Sequence, residues 1–188
     1  MEYRLETARL RLRRFTTADL PWLTELHGDP AVMRYIDVGP ESPESVAAQT
    51  LPRTLSDYDD LPAGLGRFAA ESADGSVLGW FGIRPPSSVG LAPDSGIEIG
   101  YRLFPAVWGR GYATEGASAL VRDVFIALGG ARVVATTMTV NLASRRVLKK
   151  AGLSLVRTFF EQWPTYLDGA EHGDVEYAVT RQEWLARG

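Results

Sequence analysis

Apolar positions along this chain recur at two spacings, every second residue and every third to fourth, and the switches between them predict its elements. Residues 9–13 alternate arginine with Leu10 and Leu12, the pattern of a strand with one buried face. Thr16 or Thr17 then caps a helix reaching about His27, with Leu20, Leu23 and Leu26 on one side and Asp29-Pro30 closing it. Ser42-Pro43-Glu44 opens a second helix, with proline at the first helical position and an acid in the first turn. It runs toward Tyr58, and Pro52 is expected to kink or split it. Residues 67–72 and 77–84 read as strands joined by the hairpin turn Ala73-Asp74-Gly75-Ser76. Residues 85–95, rich in Pro, Ser and Gly, read as a mobile loop.

Alternation returns with Ile97, Ile99, Tyr101 and Leu103 in phase. Past Gly109 and Gly111 a helix carries Ala113, Ala117, Leu120, Val121, Val124, Phe125 and Leu128, and stops at Gly129-Gly130. A Val- and Thr-rich strand over 131–138 follows, then a helix capped by Asn141, with Val147, Leu148 and Ala151 inward and Gly152 at its end. Two last strands lie near 155–160 and 175–180. The order β-α-α-β-β-β-α-β-α-β-β, a meander followed by a β-α-β unit, predicts one mixed α/β (α+β) domain over residues 1–188, with about seven strands and about four helices.

Composition narrows the chemistry. There is no cysteine, so disulfides, thiolate nucleophiles and cysteine zinc sites are excluded. His27 and His172 are the only histidines and lie far apart, so no metal site is expected; they read as helix-end and loop residues. A net charge of −3 argues against a general nucleic-acid or anionic-membrane partner. No apolar run approaches the roughly 20 residues of a membrane helix, and the start of the chain is charged throughout, so a cytoplasmic location is expected. Exposed aromatics leave a homodimer open.

The most informative stretch is residues 96–113, a strand and short turn leading through Trp108-Gly109-Arg110-Gly111 into a helix. Glycines there let backbone pass close to a ligand, and the helix start offers unpaired N–H groups and a positive dipole end. This is a lysine-free cradle for a diphosphate. A dinucleotide-binding (Rossmann) reading needs the loop in the opening βαβ unit and an acid ending the next strand. Here the loop lies past mid-chain, and residues 132–138 contain no Asp or Glu. Glu98 falls out of phase with Ile97, Ile99, Tyr101 and Leu103, which puts it on the opposite sheet face. Alone it reads either as a solvent-facing strand carboxylate or as a general base.

With these elements in order, the chain resembles the GNAT superfamily of acyl-CoA-dependent N-acetyltransferases over nearly its whole length. That superfamily's signature, Gln/Arg-x-x-Gly-x-Gly/Ala, is met here by Trp108, Gly111 and Ala113, a departure at the first position. Trp-Gly-x-Gly-Tyr-Ala is similar to the ribosomal-protein N-terminal (Rim-type) branch. Glu-Ile-Gly-Tyr at 98–101, Asn-Leu-Ala-Ser-Arg-Arg-Val-Leu-Lys-Lys-Ala-Gly at 141–152 and the closing residues 174–184 fit that branch too.

The resemblance implies a mostly antiparallel twisted sheet and acetyl-CoA as co-substrate, with no metal. Backbone N–H groups of Trp108, Gly109, Arg110, Gly111, Tyr112 and Ala113 would hold the CoA diphosphate. Tyr101, Arg102 and Leu103 would pair with the pantetheine amides as an added strand does, and Asn141 would touch the same arm. Glu98 would be the general base and Ser144 the general acid toward the leaving thiolate. Arg110, Arg145, Lys149 and Lys150 are candidates for the CoA phosphates, or plain surface charges. Met33, Tyr35, Trp80 and Trp163 are candidates for the acceptor pocket, and residues 168–174 for its entrance. The expected acceptor is a primary amine, foremost a protein or peptide N-terminal α-amine. The alternatives are a small-molecule amine (aminoglycoside, polyamine or amino-acid-like) and a non-catalytic acyl-CoA-binding module. An acidic cleft would favour cationic small molecules.

Overall fold

The computed structural model describes residues 3–36, 39–160 and 167–187. They form one eight-stranded sheet in the order β1-β2-β3-β4-β5-β6-β8-β7. The strands are β1 (Tyr3–Glu6), β2 (Leu10–Arg14), β3 (Gly66–Ser72), β4 (Val77–Arg84), β5 (Ile97–Leu103), β6 (Arg132–Met138), β7 (Ser154–Phe159) and β8 (Asp174–Thr180). Every neighbouring pair is antiparallel except β5 and β6. The mixed fold is the expected one, with β1 as an additional edge strand.

Cross-strand register sorts side chains between the two sheet faces. Arg67 pairs with Gly82 and Gly82 with Gly100; Ala69 pairs with Trp80, Trp80 with Arg102, and Arg84 with Glu98. These residues share one face, covered by α1 (Leu20–Gly28) and α4 (Leu51–Asp60). Phe15, Leu23, Leu26, Val46 and Leu51 pack there on Ala69 and Trp80. The other face carries Phe68, Phe81, Ile83, Ile99 and Leu103 under α5 (Tyr112–Ile126) and α6 (Leu142–Lys150). Period-2 alternation thus feeds two separate cores.

A buried network ties the first helix to the sheet. Arg13 Nη2 donates to Asp19 Oδ1 at 2.8 Å and Nε to Glu71 Oε1 at 2.6 Å. Asp19 also accepts from Thr16 N–H at 2.7 Å, completing a capping box, and from Trp22 Nε1–H at 2.7 Å.

Three local expectations change. Asp29-Pro30 ends α1 but also starts a short helix, α2 (Pro30–Met33), because the Asp29 carboxylate accepts from Ala31 N–H at 2.8 Å. At Pro52 the helical run changes type without a break: from α3 (Pro43–Ser45) the chain passes through a π segment, Val46–Thr50, into α4, with Leu51 N–H donating to the Val46 carbonyl. The widened turn absorbs the N–H that proline lacks and the bulk of its ring. Residues 85–95, expected as a mobile loop, hold two 3₁₀ turns, Pro86–Val89 and Pro93–Ser95, and bury Leu91 against Val134 and Ala178.

Helix α5 comes close to β4 at Gly116, where an added Cβ would lie 2.2 Å from Phe81 Cζ. Phe81 is fully buried and cannot swing aside. Gly116→Ala should therefore destabilise the fold by about 1–3 kcal/mol, despite alanine's better helix propensity, and thermal melting will check it.

Candidate active site

Strands β5 and β6 are paired only at Ile97–Val133 and Glu98–Val134, although β5 continues to Leu103 and β6 to Met138. They are drawn together at the base, where a Cβ on Gly96 would sit 2.6 Å from the Arg132 carbonyl oxygen. Beyond Glu98 they part. The gap is the waist of a cleft of about 1290 Å³, lined on one side by His27, Glu41, Arg67, Trp80 and Arg84 and on the other by Trp108, Gly111, Asn141 and Ser144.

The open edge of β5 is set by its pairing with β4. Phe104 N–H donates to the Leu78 carbonyl at 3.0 Å, so Arg102 and Gly100 turn their amides to β4 as well. Ile99, Tyr101 and Leu103 turn theirs to the gap. The Glu98–Val134 bridge takes up the Ile99 N–H, and Leu103's carbonyl accepts from the Trp108 indole N–H at 2.8 Å, which leaves the Ile99 carbonyl, both backbone groups of Tyr101 and the Leu103 N–H open.

On the α5 side, Gly109 and Gly111 have φ of 71° and 85°, and nothing lies within 4 Å of a Cβ on Gly109. Glycine alone adopts this left-handed backbone without strain and leaves the approach clear. Gly111 caps α5 with no side chain, so the first-turn N–H groups of Tyr112, Ala113 and Thr114 are open to a ligand. Arg9, which the sequence reading passed over, fixes this end. Its Nε donates to Glu115 Oε2 at 2.6 Å, its Nη1 to the Arg110 carbonyl at 3.0 Å, and its guanidinium lies 4.8 Å over the Tyr112 ring. The fit to a diphosphate is therefore one of backbone donors and clear space.

Asn141 caps α6, its side-chain oxygen accepting from Ser144 N–H at 3.1 Å. The Ser144 hydroxyl meets the Tyr101 hydroxyl at 3.0 Å across the gap. Burial pushes the Tyr101 phenol up to about 12, so it stays protonated at neutral pH. Lys150 and Arg146 line the cleft. Arg145 does not; it donates to the Thr139 carbonyl at 2.8 Å and to Tyr177 Oη at 3.3 Å, so it is a structural residue.

On the α1/α4 side, Glu98 is 3 % exposed and clamped by Arg84, with Nε–Oε2 at 2.9 Å and Nη2–Oε1 at 3.1 Å. The parity argument put it on the right face, but it is enclosed and ion-paired, which removes the solvent-facing reading. Arg102, expected along the pantetheine arm, instead turns its backbone groups to β4 and its side chain to this face, 5.3 Å over the Trp80 ring. His27, expected as a plain helix-end residue, is buried here instead. Its Nδ1 lies 2.5 Å from Glu41 Oε1, and its Nε2 accepts from Trp80 Nε1–H at 3.3 Å. Burial, with Arg102 adding repulsion, pushes the imidazole down to about 4, so it is neutral at pH 7 and serves to orient Trp80 and Arg102.

Tyr35 and Trp80 line the cleft as expected. Met33 does not: it is 1 % exposed in the core, because α2 turns its neighbours Val32 and Arg34 outward to the cleft instead. Trp163 lies outside the described residues. His172 is exposed beside Glu171 on a 3₁₀ turn. Arg67, Arg84 and Glu41 escaped the sequence reading, which named Arg102 for its backbone alone, because only long-range packing brings these side chains to one cleft.

Known proteins agree with this geometry. The Acetyltransferase (GNAT) domain family matches residues 9–154. The chain is 38% identical over 185 residues, 96% of its own length and 77% of the other's, to the FsC-acetyl coenzyme A-N(2)-transacetylase of Aspergillus fumigatus. Its fold superposes on spermidine N-acetyltransferase from Vibrio cholerae, solved with CoA and spermine, with a TM-score of 0.77 at 16% identity over 95% of this chain and 98% of that one. It superposes on RimL, a ribosomal L7/L12 alpha-N-protein acetyltransferase solved with CoA, with a TM-score of 0.74 at 20% identity over 95% and 98%. A glycine-framed helix start, a strand edge opened for an extended ligand and a family match across the whole region that carries them lead to one assignment: the chain belongs to the GNAT acetyltransferases and is an acetyl-CoA-dependent N-acetyltransferase.

Proposed function

We propose that the chain transfers acetyl from acetyl-CoA directly to an α-type primary amine, with both substrates bound at once in the through-sheet cleft. The observation that carries this reading is the placement of Glu98 at the point where β5 and β6 part, facing the acceptor side while the glycine loop faces the other. A non-catalytic CoA-binding module has no need of a clamped carboxylate there.

In this reading the CoA diphosphate rests on the loop and first-turn N–H groups from Trp108 to Ala113, and the pantetheine arm lies along the open edge at Ile99 and Tyr101. The acceptor amine arrives protonated. Glu98, its plane fixed by Arg84, takes that proton through a water, and the neutral amine attacks the thioester carbonyl. A β5 amide in the gap donates to the oxyanion. As the C–S bond breaks, the Ser144–Tyr101 hydroxyl pair supplies a proton to the thiolate, and the second proton lost by the acylated nitrogen restores the pair. His27 stays neutral and holds Trp80 and Arg102 in place.

The acceptor class follows from the cleft's charge. Arg34, Arg53, Arg67, Arg84 and Arg102 line the acceptor side against Glu41 and Glu98. Such a lining repels polycations, so polyamines and aminoglycosides are disfavoured even though a spermidine enzyme shares the fold. An α-amine, as on a peptide N-terminus or an amino-acid-like molecule, carries a single positive charge at most. The names of the N(2)-transacetylase and of the alpha-N-protein acetyltransferase point the same way, and the latter agrees with the Rim-type branch.

Three measurements test this proposal. Glu98→Gln should lower kcat by about 100- to 1000-fold with little change in KM for acetyl-CoA; wild-type turnover at every pH would remove Glu98 as the base. Tyr101→Phe and Ser144→Ala should each cost about tenfold in kcat, and the double variant little more, since the hydroxyls act as one unit. Gly111→Ala forces a Cβ into left-handed backbone 3.2 Å from Arg9 Nη2. It should raise the Kd for CoA about tenfold in calorimetric titration.

A further inference from the structure

Arg67 is a partly buried cation that lines the cleft beside the acceptor site, with no counter-ion among the described residues. Its stem lies over Gly82, where a Cβ would be 3.6 Å from Arg67 Cγ. Its guanidinium lies 5.6 Å from the centre of the Trp80 ring, on which Arg102 also stacks. Nη1 donates to the Thr54 hydroxyl at 3.0 Å, while Nε is buried with no hydrogen-bond partner. Among the described residues no carboxylate comes within ion-pair distance of it. The four other arginines on this face of β2, β4 and β5 are engaged: Arg11 with Glu6, Arg13 with Asp19 and Glu71, Arg84 with Glu98, Arg102 with His27.

An unpaired charge out of water is costly, and a fold that only needed to fill this space would have an apolar residue here. The cost is visible in Arg67 itself, whose guanidinium is pushed down to about 10 by burial and by the neighbouring Arg84 charge. The surrounding shape explains what the charge awaits. Gly82 and Gly100 stand side by side in the row that Arg67 begins, so the Arg67 stem lies across the first and the Arg84 and Glu98 side chains come together over the second, where a Cβ would be 3.1 Å from Glu98 Oε1 and 3.2 Å from Arg84 Nη2. Arg67, Trp80, Arg84, Glu98 and Arg102 thereby line one cleft. A ligand in that cleft meets the base on one side and, on another, a guanidinium with no ion-pair partner among the described residues.

We propose that Arg67 binds a carboxylate of the acceptor, so that the substrate is an amine with a free carboxylate close to it, of the amino-acid type, and not a peptide N-terminus whose own carboxyl is in an amide bond. This rests on the transferase reading above and narrows it. Guanidinium and carboxylate pair through parallel N–H···O bonds, which position the acceptor as well as bind it. With the carboxylate held at Arg67, the amine is directed across the cleft toward Glu98.

The test compares free L-amino acids with their carboxamides, as substrates with acetyl-CoA and as ligands in calorimetric titration in the presence of CoA, for wild type, Arg67→Met and Arg67→Lys. Wild type should favour the free acid over its carboxamide by about 10- to 100-fold in kcat/KM and in affinity. Arg67→Met should abolish that preference through the acceptor KM, with the KM for acetyl-CoA unchanged, and Arg67→Lys should restore part of it. Because the charge is unmatched in the free protein, Arg67→Met should also melt no lower than wild type, whereas loss of a structural arginine would lower the melting temperature. Equal use of acid and amide by wild type, or a preference that survives Arg67→Met, would overturn the carboxylate site while leaving the transferase intact. Arg67-dependent binding of the acid without turnover would support the site and count against the proposed chemistry. Absence of both binding and turnover for every free acid would overturn the site.

Discussion

Two residue pairs hold the active site's geometry. Ile97–Val133 and Glu98–Val134 are the whole register of the parallel junction, and everything chemical lies beyond them. A strand edge released inside a sheet has unsatisfied N–H and C=O groups, which in a closed fold would have to be paired or wetted. Here the free edge faces a cleft sized for an extended ligand, and one of its carbonyls is borrowed by the Trp108 indole. Longer pairing would close the gap, and shorter pairing would let Glu98 lose the strand that fixes it.

Electrostatics on the acceptor face depend on the same junction. Glu98 sits at the last paired position, where Arg84 grips both oxygens from the adjoining strand. From there the charge pattern runs outward along β4 and β5 through Arg102 to the neutral His27 and Glu41. The side chains differ in how fully they are matched. Among the described residues, Arg13 on the neighbouring strand is held by two carboxylates and Arg84 by one, while Arg67 has a hydroxyl and the Trp80 ring. The matched pairs act as framework, and the proposed carboxylate site lies at the one without an ion pair.

How much of this could be read from the chain follows from the range of each signal. Gly109, Gly111, the Asn141 cap and the parity of Glu98 are local features, recognisable within a few residues, and the structure places them along the cleft. The Arg67, Arg84 and Arg102 side chains are also set by parity. Their meeting, however, depends on the registers of β3 on β4 and of β4 on β5, the second reached only through residues 85–95, whose turns no periodicity encodes. His27 on α1 and Glu41 in the loop before α3 meet, and His27 reaches Trp80, only after both segments pack on the sheet. Met33 fails for a similar reason: a one-turn helix begun by Asp29 reversed which neighbours face the cleft. Pro52 reads locally as a break because its π turn needs the rest of the helix to hold it.

The two-faced arrangement has an evolutionary consequence. On β4 and β5, one parity of residues builds the acceptor face and the other builds the core beneath α5. The glycine loop and the helix starts lie with that second set. A change at a cleft-lining position such as 102 can therefore explore new acceptors without disturbing the cradle or the packing under it. Insertions or deletions within these strands cannot, since a shift of one residue exchanges the two sets. Such a chain is free to drift in what it acetylates by substitution, and is held by its pleat to how it acetylates.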